Sequence, residues 1–280
     1  MHLARIYATL FTKSVKRGAC FLLSDYQPVI IKLPRDLPQC NLYVIADVHI
    51  GDPCCDEKAI CEWVKRLKSD PCGYFVAAGD MLNMGLKNSK TNIYEEKYLP
   101  RQQIELFRTL FAPVKDKLLA IVPGNHEYRA VKEIGINPLY DVALEWDIGD
   151  RYRENFCALD LSLGHYTQEH TKNQVNYGIV ISHGSSRLKH DRWCDTWDGV
   201  DLFISGHTHD GSNRAPGKLV FDRRNKTVTQ TDYYEHVCTP MLQYGGYGAR
   251  AEYHPGSTAK IEMYTLTGDR KHIIYKQESL

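Results

Sequence analysis

Five short segments carry side chains whose types and spacing could do chemistry together. They are Asp47-Val48-His49, Gly79-Asp80, Gly124-Asn125-His126-Glu127, His183-Gly184 and Gly206-His207-Thr208-His209. Together they offer two Asp, one Asn and five His. Taken singly such residues mean little, since an Asp after a strand is ordinarily a turn residue or a helix cap. Gathered in one place, imidazole and carboxylate groups suit Mn, Fe, Zn, Ni or Co, with geometry selecting among them. One carboxylate can bridge two such cations, and a cation pair clamps a phosphate and lowers the pKa of a bound water. The glycines beside these residues let the backbone turn sharply.

The elements that must position them are short apolar runs, one before each segment: Leu42 to Ala46, Tyr74 to Ala78, Leu118 to Val122, Gly178 to Ser182 and Asp201 to Ser205. Each has strand length, and near-continuous apolarity predicts strands buried on both faces. In open α/β sheets ligands bind beyond the carboxyl ends of strands, so the five runs are expected to deliver their residues to one edge of one sheet. Helical spacing places Ile60, Trp63, Val64 and Leu67 on one face of a predicted helix from Asp56 to Ser69. A second is predicted from Glu96 to Phe111, with Ile104, Phe107, Leu110 and Phe111 on one face and Pro100 in the first turn. Strands alternating with helices give an α/β fold. Beyond His209, Lys218 to Asp222, Thr227 to Tyr234, Lys260 to Thr265 and Lys271 to Lys276 read as strands. Residues 1 to about 40 read as an extra strand pair, Pro28 to Lys32 being its clearest member.

The 280 residues are 43% hydrophobic and 25% charged, with 35 basic against 34 acidic side chains. That balance gives no global reason to bind nucleic acid or a membrane. No apolar run approaches the roughly 18 residues a membrane helix needs. Nine scattered cysteines, none in a CxxC pair, fit reduced thiols in a cytoplasmic protein. The paired spacing of a structural zinc site is missing.

The ordered series DxH, GD, GNHE, HG and GHTH, spanning roughly residues 40 to 210, resembles the calcineurin-like metallophosphoesterase superfamily. The resemblance implies a single domain over residues 1–280: a four-layer α/β fold of two packed mixed β-sheets flanked by helices. Residues 1–40 would add N-terminal strands, and residues 211–280 a C-terminal β segment of the second sheet. It implies two divalent transition-metal ions, Mn2+ foremost, with Fe, Zn, Ni or Co as alternatives. One would be held by Asp47, His49, Asp80 and His209, the other by Asp80, Asn125, His183 and His207, Asp80 being the bridge. Metal-activated water would attack phosphorus in line, and His126 would protonate the leaving oxygen or steady the transition-state charge.

Two departures from the family pattern stand out. Many members place an Asp three residues after the bridging Asp, where it can orient the catalytic His; here that residue is Asn83. The GDxVDRG segment of the protein Ser/Thr phosphatases is absent, which disfavours that branch.

The expected substrate is a phosphorylated small molecule or nucleotide, a phosphomonoester or phosphodiester. Arg129 is a candidate phosphate contact through its bidentate guanidinium. Asn83 to Tyr98 could line the entrance, while Arg187, Lys189 and His190 could add positive potential. Tyr244 to Arg250 could form a flap. DVHIG and GHTH also resemble DNA-repair exonucleases, so a nuclease is the alternative. A non-catalytic metal-binding scaffold is disfavoured, because every expected ligand is present.

Overall fold

The computed structural model describes residues 25–87, 89, 93–166, 173–185, 190–246 and 256–280. The five apolar runs are strands, but they belong to two sheets rather than one. β2 (Gln39–Ile45), β3 (Gly73–Ala78) and β4 (Leu118–Val122) are parallel neighbours in a five-stranded sheet of order β13-β12-β2-β3-β4. β6 (Val175–Ser182) and β7 (Leu202–Ser205) are parallel neighbours in a six-stranded sheet whose strands run, in order, β1 (Val29–Lys32), β5 (Phe156–Leu163), β6, β7, β11 (Tyr234–Val237) and β8 (Asn213–Arg214).

Side-chain alternation explains the arrangement. Leu42, Val44 and Ala46 of the first run point with Val76, Ala78, Ala120 and Val122 into a core shared with Leu159, Leu161, Ile179, Ile181, Leu202 and Ile204 of the other sheet. The opposite face presents Tyr43, Ile45, Phe75 and Ala77 to the helices. Each run is therefore apolar on both faces because each sheet is covered on both.

The helical layer over the five-stranded sheet contains α1 (Glu57–Ser69) and α2 (Pro100–Phe111). The Asp56 side chain caps α1 by accepting the Ala59 N–H at 3.0 Å. α1 buries Ile60, Trp63, Val64 and Leu67. Helix α2 starts four residues later than the spacing predicts. Pro100 disfavours helical geometry at Leu99, which is extended (φ −63°, ψ 154°). Two helices not expected from the sequence follow β4: α3 (Asn125–Ile134) and α4 (Pro138–Glu145). The outer face of the six-stranded sheet packs Val180 and Phe203 against Cys194, Trp193 and Trp197 on and after the one-turn helix α5 (His190–Cys194). Mixed sheets back to back with helical segments outside make up the four layers.

The segments flanking the motif core divide between the sheets. β12 (Lys260–Thr267) runs antiparallel to β2 and carries β13 (Ile273–Ser279) at the edge. The predicted strand from Thr227 to Tyr234 is split. Among the described residues, Thr227–Asp232 (β10) pair only with β9 (Gly217–Asp222), in a separate hairpin. Beyond the split, β11 (Tyr234–Val237) joins β7, with β8 (Asn213–Arg214) beyond it. So the C-terminal segment does not form one second sheet. β1 (Val29–Lys32) pairs with β5 (Phe156–Leu163), a strand the apolar runs did not predict. Residues 1–24 of the expected N-terminal pair lie outside the described residues. Among the described residues no helix is long and apolar enough to cross a membrane.

Candidate metal centre

All five strands end at the same side of the two-sheet stack. The turns after β2, β3 and β7 are backbone-strained: Asp47 (φ 52°), His49 (49°), Asp80 (51°), His207 (74°) and His209 (60°) all sit in the left-handed region. Such residues cost about 1–3 kcal/mol each and cluster where a site over-determines them. Here tight backbone contacts do so. The Asp47 N–H donates to Gly79 O at 3.0 Å and the His49 N–H to Asp80 O at 2.9 Å. The His207 N–H donates to the Asp47 carboxylate at 2.9 Å.

Asp80 is at the middle of the cluster. Its Oδ1 accepts the His126 N–H at 2.8 Å. Its Oδ2 lies 3.1 Å from His183 Nε2, 3.9 Å from His49 Nε2 and 3.7 Å from His126 Nε2. Asn125 Oδ1 lies 2.8 Å from His207 Nδ1 and 3.2 Å from His183 Nε2. His209 Nε2 is 3.4 Å from Asp47 Oδ1. The seven expected ligands are thus one contiguous group, with Asp47, His49 and His209 on one side of Asp80 and Asn125, His183 and His207 on the other.

The donor chemistry fits cations. His49 Nε2 and His209 Nε2 are 3.2 Å apart, so two neutral rings there share at most one hydrogen. Buried His49 Nδ1 has no hydrogen-bond partner among the described residues. His183 Nδ1 faces Ala78 O at 2.8 Å, which assigns that nitrogen a hydrogen and turns Nε2 inward. Without a metal, burial opposes charge on His183, but Asp80 and then Asp47 outweigh it and raise the ring to about 10. Asp80 is held well below the carboxylate range: burial pushes it up, and the neighbouring His126 and His183 prevail. A proton on His183 then stands where a cation would.

His126 stands in the first turn of α3 and is oriented by the backbone. Its Nδ1 lies 2.7 Å from the main-chain oxygen of Asn83, so Nδ1 carries hydrogen. The Asn83 side chain instead donates to Glu96 Oε1 at 2.6 Å. The absent Asp at position 83 therefore does not leave His126 unheld. Arg129, one turn along α3, reaches His126 Nε2 at 3.0 Å. Burial foremost depresses His126 to about 4, leaving it neutral.

Three residues given no role from sequence support the site. Glu127, fully buried, accepts the Asp80 N–H at 3.1 Å, the Gly124 N–H at 2.8 Å and the Leu82 N–H at 2.8 Å. It thereby clamps the loop after β3 to the start of α3. Its place three residues after Gly124 is the helix-start signature that sequence could have revealed. Glu96 accepts from Asn83 and from Gln103 Nε2 at 2.8 Å, and Gln103 Oε1 takes the Met84 N–H at 2.8 Å. No local pattern joins these positions.

A cavity of about 870 Å³ opens beside the cluster. Asn125, His183 and His207 line one end, with Tyr128, Phe156 and Trp193 among its walls. His190 also lines it, but burial lowers its pKa, so it does not add the expected positive charge. Arg187, Lys189 and residues 247–250 of the expected flap lie outside the described residues; Tyr244 is exposed.

Two stacked mixed sheets with an Asp/Asn/His cluster at their common edge give the donor set of a metal centre. Residues 41–211 match the family model described as calcineurin-like phosphoesterase, and the chain belongs to that family. Solved structures similar to it include a metallophosphoesterase from Sphaerobacter thermophilus, at 14% identity and TM-score 0.40, covering 85% of this chain and 87% of that one. The calcineurin-like phosphoesterase YfkN from Bacillus subtilis is similar at 13% identity and TM-score 0.41, covering 86% and 91%. No curated protein matches the chain.

Proposed function

We propose that the protein hydrolyses a phosphomonoester or phosphodiester using two divalent transition-metal ions, manganese foremost. Asp47, His49, Asp80 and His209 would hold one ion, and Asp80, Asn125, His183 and His207 the other. The observation carrying this reading is the position of Asp80 Oδ2, 3.1 Å from His183 Nε2 and 3.9 Å from His49 Nε2, between the two ligand groups. Bound ions supply Lewis-acid polarisation of a phosphoryl oxygen and a lowered water pKa. The chain's own residues do the rest. Asn83 O keeps a hydrogen on His126 Nδ1, so Nε2 is the nitrogen that can exchange a proton with the leaving oxygen. Arg129, now on Nε2, would move to a phosphoryl oxygen when substrate enters. Cys40, Cys55, Cys61, Cys72, Cys157, Cys194 and Cys238 are free thiols, which supports a reducing compartment, the cytoplasm. Pairing of β12 with β2 supports a single domain.

The test is turnover of bis-p-nitrophenyl phosphate, p-nitrophenyl phosphate and linear DNA by metal-stripped protein, with and without Mn2+. Turnover should require metal, and the preferred ester separates small-molecule esterase from nuclease. Asp80→Asn should remove most activity, together with tight metal binding. His126→Ala should slow turnover by about 10²–10⁴-fold, with metal content unchanged. Full activity in Asp80→Asn would overturn the assignment.

A further inference from the structure

Outside the Asp80 cluster, a second set of donors converges on the outer face of the six-stranded sheet. His190 and Cys194 stand one turn apart on α5, so their side chains share a face. Cys194 Sγ is 3.5 Å from His190 Nε2. Glu235, on β11, brings a carboxylate oxygen to the same spot, and the three donor atoms lie within 4.8 Å of one another. Cys194 is 2% and Glu235 4% exposed.

The Ser205 hydroxyl stands beside the other ring nitrogen of His190. It lies 3.1 Å from His190 Nδ1 and 3.4 Å from His236 O, within reach of both. With the hydroxyl turned to His236 O, its oxygen accepts a hydrogen from Nδ1 and the Nε2 lone pair faces the sulfur, the tautomer that an ion at Nε2 selects. Burial keeps the ring neutral, the form that binds metal. Zn–N of about 2.0–2.1 Å and Zn–S of about 2.3 Å at a tetrahedral angle put nitrogen and sulfur about 3.5–3.6 Å apart, the separation found here. Glu235 Oε2 pairs with Arg214 and the Tyr233 hydroxyl bonds the same carboxylate, whose two oxygens still keep lone pairs for an ion.

We propose that His190, Cys194 and Glu235 form a further divalent-metal site, for a borderline-soft ion such as zinc, distinct from the Asp80 cluster. His190 and Glu235 line the cavity wall, so a fourth coordination position would open toward the cavity. On binding, the Cys194 thiol loses its proton to solvent and its sulfur coordinates as thiolate. The ion would fasten the one-turn helix α5 to β11, and with it the Trp193 wall of the cavity. The CxxC spacing that announces structural zinc in a sequence is absent because the third ligand comes from 41 residues further along, on another strand.

Cobalt titration of the metal-stripped full chain tests this apart from catalysis. No residue of the Asp80 cluster is a thiol, so a near-ultraviolet thiolate-to-cobalt charge-transfer band reports cysteine ligation alone. The band should appear in the wild type, persist in Asp80→Asn, and vanish in Cys194→Ser. Circular dichroism melts establish that each variant folds. Should Cys194→Ser fail to fold, His190→Gln carries the test, with a weakened band that needs more cobalt to saturate. No band in the wild type, a band unchanged in folded Cys194→Ser, or one unchanged in His190→Gln would each overturn the site. The Asp80→Asn arm separates this site from the phosphoesterase reading, which stands or falls on turnover.

Discussion

Glu127 shows how much of a candidate metal site can rest on a residue outside its proposed ligand set. Its carboxylate accepts three buried N–H groups, one of them from Asp80 itself. Burial foremost, then the charge of Asp80, raises it to about 7. Glu127→Gln turns one acceptor oxygen into a donor facing donors. Leaving a buried group unpaired costs about 1–3 kcal/mol. The variant should unfold at lower denaturant and retain Mn2+ less well, as read by melts and metal analysis; unchanged values in both would remove the clamp from the account. Glu96 gives a pH prediction. Burial chiefly raises it to about 7, against about 4.3 in an unfolded chain. Between those values the folded state keeps a proton that the unfolded state has released, so stability falls as pH rises through that window. Melting temperatures of the wild type and Glu96→Gln, compared at pH 5 and pH 8, should shift in favour of the variant at the higher pH. A shift the other way would mean that hydrogen bonds from Asn83 and Gln103 dominate.

Among the elements, the turn between β4 and α3 sets the tightest constraint. Gly124 has extended geometry (φ −103°, ψ −171°) open to any residue. Its requirement is purely steric: a Cβ would run into Asp80 Oδ1 and lie 2.5 Å from Asp80 N. Gly124→Ala should therefore leave helix content near normal in circular dichroism while weakening Mn2+ binding, and undiminished binding would contradict that geometry. Helix α1 depends on packing instead. Trp63 is fully buried, edge-on to Tyr43 at 5.9 Å and to Phe75 at 5.5 Å. Trp63→Ala should cost about 3–5 kcal/mol in a denaturant melt, with any surviving folded protein keeping its metal.

At the scale of the whole molecule, the Asp/Asn/His cluster joins two sheets: Asp47, Asp80 and Asn125 follow strands of one, while His183, His207 and His209 follow strands of the other. Ions bound between them would oppose separation of the layers. A ligand that binds only the folded state stabilises it by about 2.7 kcal/mol at 100 times its Kd. Mn2+ should accordingly raise the melting temperature of chelator-stripped protein by several degrees, and Asp80→Asn should lose most of that rise.

The chain by itself determined which residues could act together, because each candidate ligand lies within four residues of the end of a strand whose apolar run is legible over a few residues. α1 was equally legible, since capping by Asp56 and the stripe through Trp63 are local. Period-two alternation in Phe156–Leu163 marks β5 as well, although Asp160 and Ser162 interrupt its apolarity. What only the tertiary structure decided was partnership. Both sheets have strands apolar on both faces, so hydropathy does not say that β2, β3 and β4 sit in one and β6 and β7 in the other. Pairing across long separations placed Glu96 against Asn83, and Glu235 beside His190 and Cys194. Side chains far apart along the chain carry no mutual pattern, and they meet only because burying apolar surface forces the layers that bear them together.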